Sequence, residues 1–259
     1  MPEISLHLGD CLTVLPTLAD KSIDAIITDL PYGTTACKWD TVIPLEPMWR
    51  EVKRLLKPRG AFVTTASQPF TSMLVMSNLG WFKYEWIWNK PRITGYLNAN
   101  HLPMKAHENI LVFGNGIVYN PQMAKGKRHK SGAKPEWEGQ AKVYGKHNRK
   151  LTISDLWYPR SIITFSSDPE TTVTRAHRPN KEKRHPTQKP VALYEYLIRT
   201  YTNEGDTVLD FCMGSGTTGV ACVQTGRKFI GCDNVPEYVE IAKRRIAEAQ
   251  QQLALPLGV

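Results

Sequence analysis

Four residues near the start of the chain, Asp29-Leu30-Pro31-Tyr32, bring a carboxylate, a proline and an aromatic ring together. They follow the apolar run Ala25-Ile26-Ile27, which reads as a short buried strand of an α/β sheet. Proline cannot continue a strand ladder, so Asp29 to Tyr32 should stand at the sheet's carboxyl edge, where open α/β sheets bind ligands. There Asp29 can accept a hydrogen bond from an exocyclic amine, and Tyr32 can stack on a flat base. The plainer alternative is a strand that ends in a Pro-Tyr turn, with Asp29 as an ordinary turn residue.

A second group of chemically suggestive residues lies near the other end. Gly214-Ser215-Gly216-Thr217-Thr218-Gly219 follows the strand-like Asp206 to Phe211 and opens a helix-like stretch, and Asp233 ends the next strand-like run, Lys228 to Asp233. This fits the glycine fingerprint of a dinucleotide site, in which backbone approaches a ligand closely and the later acid binds ribose hydroxyls. A nicotinamide cofactor is therefore a rival to test. Against it, Asp210 just before the glycines suits a cationic, amino-acid-bearing ligand better than a pyrophosphate. A dehydrogenase would also leave Asp29 to Tyr32 without a task.

The elements that must position these residues alternate between strand and helix. Ile4 to Leu8 reads as a strand closed by Gly9-Asp10, and Leu12, Leu15 and Leu18 predict a short helix. Met48, Trp49, Val52, Leu55 and Leu56 recur at helical spacing, and Lys57-Pro58-Arg59-Gly60 should stop that helix. Ala61 to Thr65 is the next strand, Gln68 to Leu79 a helix, and Phe82 to Trp88 with Ile110 to Phe113 a pair of strands. After the middle of the chain, Val191, Leu193, Tyr194, Leu197 and Ile198 predict an amphipathic helix, and Pro236 opens a long final one. Such alternation points to a mostly parallel sheet.

Periodicity fails from about 120 to 184, where only Ser161 to Phe165 resembles a strand. The same stretch holds fifteen Lys or Arg against six acids, so the whole formal charge of +9 lies there. A basic segment carrying isolated aromatics (Trp137, Tyr144, Trp157, Tyr158) favours a nucleic-acid partner, through phosphate contacts and base stacking. Lys125, Lys127, Arg128, Lys130, Lys146, Arg149 and Lys150 are the candidate contacts. A solvated loop is the alternative, with Trp157 and Tyr158 only anchoring it.

Five cysteines, none in a Cys-x-x-Cys pair, suggest neither disulfides nor a metal site. No apolar run approaches the ~20 residues needed to cross a bilayer, and the first residues lack the pattern of a signal peptide. A cytoplasmic protein with no membrane partner is expected.

Taken together, these residues resemble the amino-methyltransferases that act on DNA with S-adenosylmethionine, of phage or restriction-modification type. The family's catalytic motif is Asp/Asn/Ser-Pro-Pro-Tyr/Phe, and Asp29-Leu30-Pro31-Tyr32 is similar to it except at Leu30. Asp210 to Gly216 resembles its cofactor motif, and Gly9-Asp10-Cys11 its N-terminal motif. His185-Pro186-Thr187-Gln188-Lys189-Pro190 is similar to the segment before the cofactor strand. Catalytic motif first, cofactor loop last and a basic insert between them is the order of the circularly permuted β group. The likeness covers nearly the whole chain outside the insert.

The resemblance implies a Rossmann-like α/β methyltransferase fold with helices on both faces of the sheet. Residues 1–119 would form the catalytic half, 120–184 the target-recognition insert and 185–259 the cofactor-binding half. It implies methyl transfer to the exocyclic N6 of an adenine flipped out of double-stranded DNA. Aspartate at the first motif position resembles the adenine enzymes, serine being usual in cytosine-N4 enzymes. Cytosine-N4 transfer, an enzyme acting on RNA or a protein amide, and an inactive DNA-binding protein of this fold remain alternatives. Carbon-5 methylation would need a Pro-Cys pair, which is absent.

By the same resemblance, Asp29 and the Leu30 carbonyl would hold the amine, Pro31 would fix that carbonyl, and Tyr32 would stack on the base. Leucine at position 30 puts the loop's rigidity in question. Asp10 would meet the cofactor's adenine, Asp210 its methionine amine or ribose, and Asp233 its ribose hydroxyls, with a strand-end turn as the alternative for Asp233. Gly214 and Gly216 would allow close approach, with Cys11, Phe211 and Thr217 as neighbours. Lys189 would hold the methionine carboxylate or simply precede the helix as a cap. Members of this group are often dimers, so a homodimer is an open alternative.

Overall fold

The computed structural model describes residues 1–34, 40–131, 152–165 and 188–254. Residues 1–120 and 161–259 belong to one compact unit and Pro121–Arg160 to a second.

The first unit is built on an eight-stranded sheet. Its strands are β1 (Ile4–Leu8), β2 (Ile23–Asp29), β3 (Leu56–Ala66), β4 (Phe82–Thr94), β5 (Lys105–Gly114), β8 (Ile162–Thr164), β9 (Thr207–Asp210) and β10 (Lys228–Asp233). The order is β1-β10-β9-β2-β3-β5-β4-β8, antiparallel where β5 meets β3 and β4 and parallel elsewhere. This is the mostly parallel α/β sheet that the alternation predicts.

Side-chain alternation along the strands creates two cores. Ala25, Ile27, Ala61, Val63, Ile110 and Val112 face α4 (Val191–Tyr201), α5 (Thr217–Thr225) and α6 (Pro236–Ala254). Ile26, Phe62, Leu111, Phe113 and Leu209 face the opposite way, onto a core completed by Leu15, α2 (Leu45–Leu55) and α3 (Phe70–Ser77). The period of two puts consecutive residues on opposite faces, so a run such as Phe62-Val63 feeds both cores. Arg54 pairs with buried Glu51 on α2 and ties α2 to the turn that follows α1 (Cys11–Val14), donating to the Leu15 and Leu18 carbonyls at 2.8 Å.

Three segments differ from their sequence-based expectation. Lys57 to Gly60 does not separate helix from strand: β3 begins at Leu56, and the four residues are absorbed as a register shift between the Ile23–Leu56 and Ala25–Ala61 pairs. A bulge accommodates the proline that a regular ladder would reject. β4 and β5 continue well past Trp88 and Ile110 as a long hairpin whose end is exposed, so no alternation of burial marks it in the sequence.

The third difference lies in the second unit. It contains an antiparallel pair, β6 (Ala124–Ser131) and β7 (Thr152–Trp157), where no strand is expected from pattern. Trp157 holds that hairpin together: it stacks on His129 at 3.9 Å and donates from Nε1 to the Lys127 carbonyl. A Cβ at Gly126 would sit 2.7 Å from the indole, so only glycine admits the ring there.

Candidate active site

β2 and β9 lie side by side, yet the chain leaves them in opposite directions, β2 toward β3 and β9 toward β10. That divergence opens a crevice at the carboxyl ends of the two strands, the standard ligand position in such sheets. A cavity of about 310 Å³ occupies it, within the range of small-molecule sites. Asp29, Leu30 and Pro31 line it from the end of β2, and Asp210, Phe211, Gly214 and Thr217 from the loop after β9. Asp10 and Cys11 enter after β1, Asp233 after β10, and Lys189 from just before α4.

Asp29 engages three side chains. Its Oδ1 accepts from the Tyr32 hydroxyl at 2.9 Å and from the Thr65 hydroxyl, and its Oδ2 accepts from Lys189 Nζ at 2.6 Å. Burial, followed by the charges of Asp29 and Glu108, pushes the Tyr32 phenol well above its ordinary pKa, so it stays a neutral donor. Burial opposes the charge on Lys189, but Asp29 and Glu108 outweigh it and raise its pKa. Glu108 stands on the far side of the lysine, with Oε2 3.5 Å from Nζ, and its Oε1 pairs with Lys90 at 3.2 Å. Oε2 has no hydrogen-bond partner within the described structure. Charges thus alternate along Asp29, Lys189, Glu108 and Lys90.

The motif loop is held without a second proline. Leu30 is only 4 % exposed and packs in the core beneath the loop. Such burial is worth about 1.5–3 kcal/mol. Asp40 closes the loop beyond, accepting from the Gly33 and Thr34 amides at 2.8 and 2.9 Å. Tyr32 stacks on Phe70, ring centroids 5.4 Å apart, and is turned out of the cavity lining.

On the other wall, Asp210 is buried and receives the Thr28 hydroxyl at 2.7 Å, the Thr218 hydroxyl and the Cys212 amide. Burial dominates these donors and lifts its pKa to about 7. Asp233 accepts from the Gly214 amide with one oxygen and the Val235 amide with the other, both at 2.9 Å. It therefore makes the strand-end turn and also fastens the glycine loop. Asp10 likewise caps α1 through the Leu12 amide at 2.7 Å. Gly216, with φ +78°, faces α6 and not the cavity: a Cβ there would lie 2.7 Å from that of Ala242. Its task is close helix packing.

Four amides of this loop are unavailable to a pyrophosphate. The amides of Cys212, Met213, Gly214 and Gly216 all donate within the protein, to Asp210, the Cys232 carbonyl, Asp233 and the Met213 carbonyl. The carboxylates beside it would also repel an anion. The arrangement suits a cationic ligand with amines and hydroxyls better than a dinucleotide.

Thr65, Glu108 and Tyr194 are the site residues that sequence patterns miss. Burial, then the Asp29 and Asp210 charges, keeps Tyr194 neutral beside the cavity. Among the basic candidates, Lys125, Lys127, Arg128 and Lys130 are exposed along β6. Lys146, Arg149 and Lys150, with Trp137, Tyr144 and His185 to Thr187, lie outside the described residues.

Sheet order, crevice and acidic strand ends define a Rossmann-like methyltransferase fold. A family model described as DNA methylase matches residues 23–244. The type II methyltransferase M.HpaI of Haemophilus parainfluenzae is 30 % identical over 258 residues, spanning 93 % of this chain and 73 % of the relative. The M1.HpyAVI–SAM complex superposes with a TM-score of 0.60 at 26 % identity, covering 93 % of this chain and 99 % of that one. The cytosine-N4-specific PvuII DNA methyltransferase shares the fold, with a TM-score of 0.63 at 18 % identity, covering 97 % and 92 %. The chain belongs to the DNA methylase family, as a DNA methyltransferase of the N6-adenine/N4-cytosine class.

Proposed function

We propose that this chain methylates the exocyclic N6 of adenine in double-stranded DNA, with S-adenosylmethionine as donor. The observation that carries the proposal is the carboxylate of Asp29 at the mouth of the crevice, in the position where the cytosine-N4 enzymes it resembles usually have serine. The cofactor fits on the chain's own terms. Asp210, Asp233 and Asp10 present carboxylates to a ligand bearing amine, sulfonium and hydroxyl groups, and Asp233 already occupies the Gly214 amide. Bound there, it would supply a methyl group activated by attachment to sulfur.

An exocyclic amine is a poor nucleophile, because its lone pair is delocalised into the ring, and it is hidden inside the duplex. Asp29 Oδ2 would accept one N–H and the Leu30 carbonyl the other, aiming the lone pair and stabilising positive charge as it builds on nitrogen. Pro31 fixes the backbone that directs this carbonyl. Tyr32 and Thr65 hold the second carboxylate oxygen, so the acceptor is oriented before the base arrives. Tyr32, stacked on Phe70 and with Lys189 Nζ 5.8 Å from its ring centroid, would meet the base once the lysine has withdrawn.

Lys189 stands where the amine must go. It would withdraw toward Glu108 Oε2, which lies 3.5 Å away and lacks a hydrogen-bond partner within the described structure. Without that shift, an ammonium ion would both neutralise Asp29 and oppose the charge developing on the base. Lys189 could then also serve a carboxylate in the adjoining cavity, which it lines. The exposed lysines and Arg128 of β6 would supply phosphate contacts.

The test is methyl transfer to unmethylated DNA followed by nucleoside analysis. N6-methyladenine supports the assignment and N4-methylcytosine replaces it with the second reading, which the shared fold with a cytosine-N4 enzyme keeps in view.

A further inference from the structure

Glu108 and Lys90 tie the base of the long β4–β5 hairpin to Lys189, and beyond them the hairpin takes no part in the site described above. Asp29 pairs with Thr65, Thr65 with Ile110, and Ile110 with Trp86, which fixes the level of the catalytic carboxylate on this hairpin. Beyond that level the pairs Ile87–Asn109, Trp88–Glu108, Asn89–His107 and Thr94–Lys105 continue. The hairpin therefore runs on past the sheet's carboxyl edge, on the side where the cavity opens. Among the described residues β8 covers β4 as far as Asn89.

Every residue from 91 to 107 is exposed, yet the tip is ordered by its own hydrogen bonds. The Asn98 amide donates to Gly95 at 3.0 Å, Ala99 to Tyr96 at 3.2 Å and Leu102 to Asn98 at 2.9 Å. Tyr96 is 73 % and Leu97 82 % exposed, with Ile93 and Leu102 also bare. Ordered backbone with uncovered apolar side chains is costly and marks an interaction surface.

The charge identifies the partner. Lys90 is neutralised by Glu108, but Arg92 and Lys105 flank the tip in a stretch, Pro91 to His107, that contains no Asp or Glu. A second copy of the chain seated here would cover the edge that must admit substrate, whereas DNA must come to this edge to deliver a base. Extruding that base leaves an unstacked gap, which an apolar side chain can fill, and basic residues flanking an apolar wedge suit that geometry.

We propose that the β4–β5 hairpin is a DNA-docking arm, with Tyr96 and Leu97 as a wedge that enters the duplex beside the target base. The proposal rests on the methyltransferase function above. Arg92 and Lys105 hold the phosphates on either side of the opened step.

The test uses the full chain and a short duplex carrying the methylated site, once sequencing of treated DNA has located it. The same duplex with an abasic position opposite the target base serves as a pre-opened substrate. The double variant Tyr96→Ser/Leu97→Ser should lose about tenfold to a hundredfold in kcat/KM on the paired duplex, the scale of a lost stacking contact. On the pre-opened duplex it should stay within a factor of about three. Thermal unfolding should be unchanged, because both side chains are exposed. Equal rates on the two substrates would overturn the wedge, as would a change in molecular mass in solution, which would assign the tip to contact between copies. Wild-type protein that methylates no DNA would instead overturn the function on which the proposal rests.

Discussion

Glu108→Gln isolates the part of the mechanism that no sequence motif announces. Lys189 lies 2.6 Å from Asp29 and 3.5 Å from Glu108, so two carboxylates compete for one ammonium. An ion pair at 3.5 Å in an effective dielectric of about 20 has a gross value of about 5 kcal/mol. A neutral amide of the same shape retains a hydrogen-bond acceptor worth about 1 kcal/mol. Allowing for water and relaxation around a partly exposed pair, the substitution should bias the lysine toward Asp29 by about 2 kcal/mol. That bias lowers the share of molecules with a free Asp29 about thirtyfold. The rate of methyl transfer in a single turnover should fall by that factor, with cofactor affinity by calorimetry changed less than about threefold. Glu108→Asp, which keeps the charge, should recover part of the rate. Full activity in Glu108→Gln would refute the two-position lysine. Equal losses of rate and cofactor affinity would show that Glu108 only supports the pocket.

Asp210 should leave a signature in stability. Its pKa is raised from 3.8 unfolded to about 7 folded, so the native state binds the extra proton between those values. The contribution is fully present below pH 3.8 and is lost as pH rises through about 7, a change of about 4 kcal/mol that Asp210→Asn should remove from denaturant titrations. A cationic ligand beside this carboxyl should also release protons on binding near pH 7, seen as buffer-dependent binding enthalpy. Leu30→Ala should cost about 2–4 kcal/mol of stability by urea unfolding, since the side chain is core; a loss below about 0.5 kcal/mol would show that the loop is held by other means. Replacing Lys127, Arg128 and Lys130 together with Ala should weaken DNA binding and flatten its salt dependence, and an unchanged slope would remove β6 from the interface.

The two motif loops were legible because each is local: Asp29 to Tyr32 and Asp210 to Gly216 sit immediately after apolar strands whose pattern fixes their place. Their meeting was legible too, since parallel strands in one sheet bring their carboxyl ends to one edge. What surrounds them was not. Thr65 is 36 positions from Asp29 and Lys189 is 160, and only strand register and helix placement join them. Glu108 reads as one more polar residue before a buried strand, and its aim at Lys189 depends on β5 lying two strands from β2. Gly216 fits the ligand fingerprint in sequence but serves helix packing in space. The exposed hairpin leaves no signal in the sequence for a physical reason: burial writes periodicity into sequence, and residues 91 to 107 are not buried.

The most direct test is nucleoside mass spectrometry of unmethylated DNA incubated with the protein and S-adenosylmethionine, with Asp29→Ala alongside. N6-methyladenine should form and should disappear in the variant while cofactor binding persists. Methylated adenine undiminished in Asp29→Ala would contradict the role given to this carboxylate, and N4-methylcytosine would contradict the base assignment.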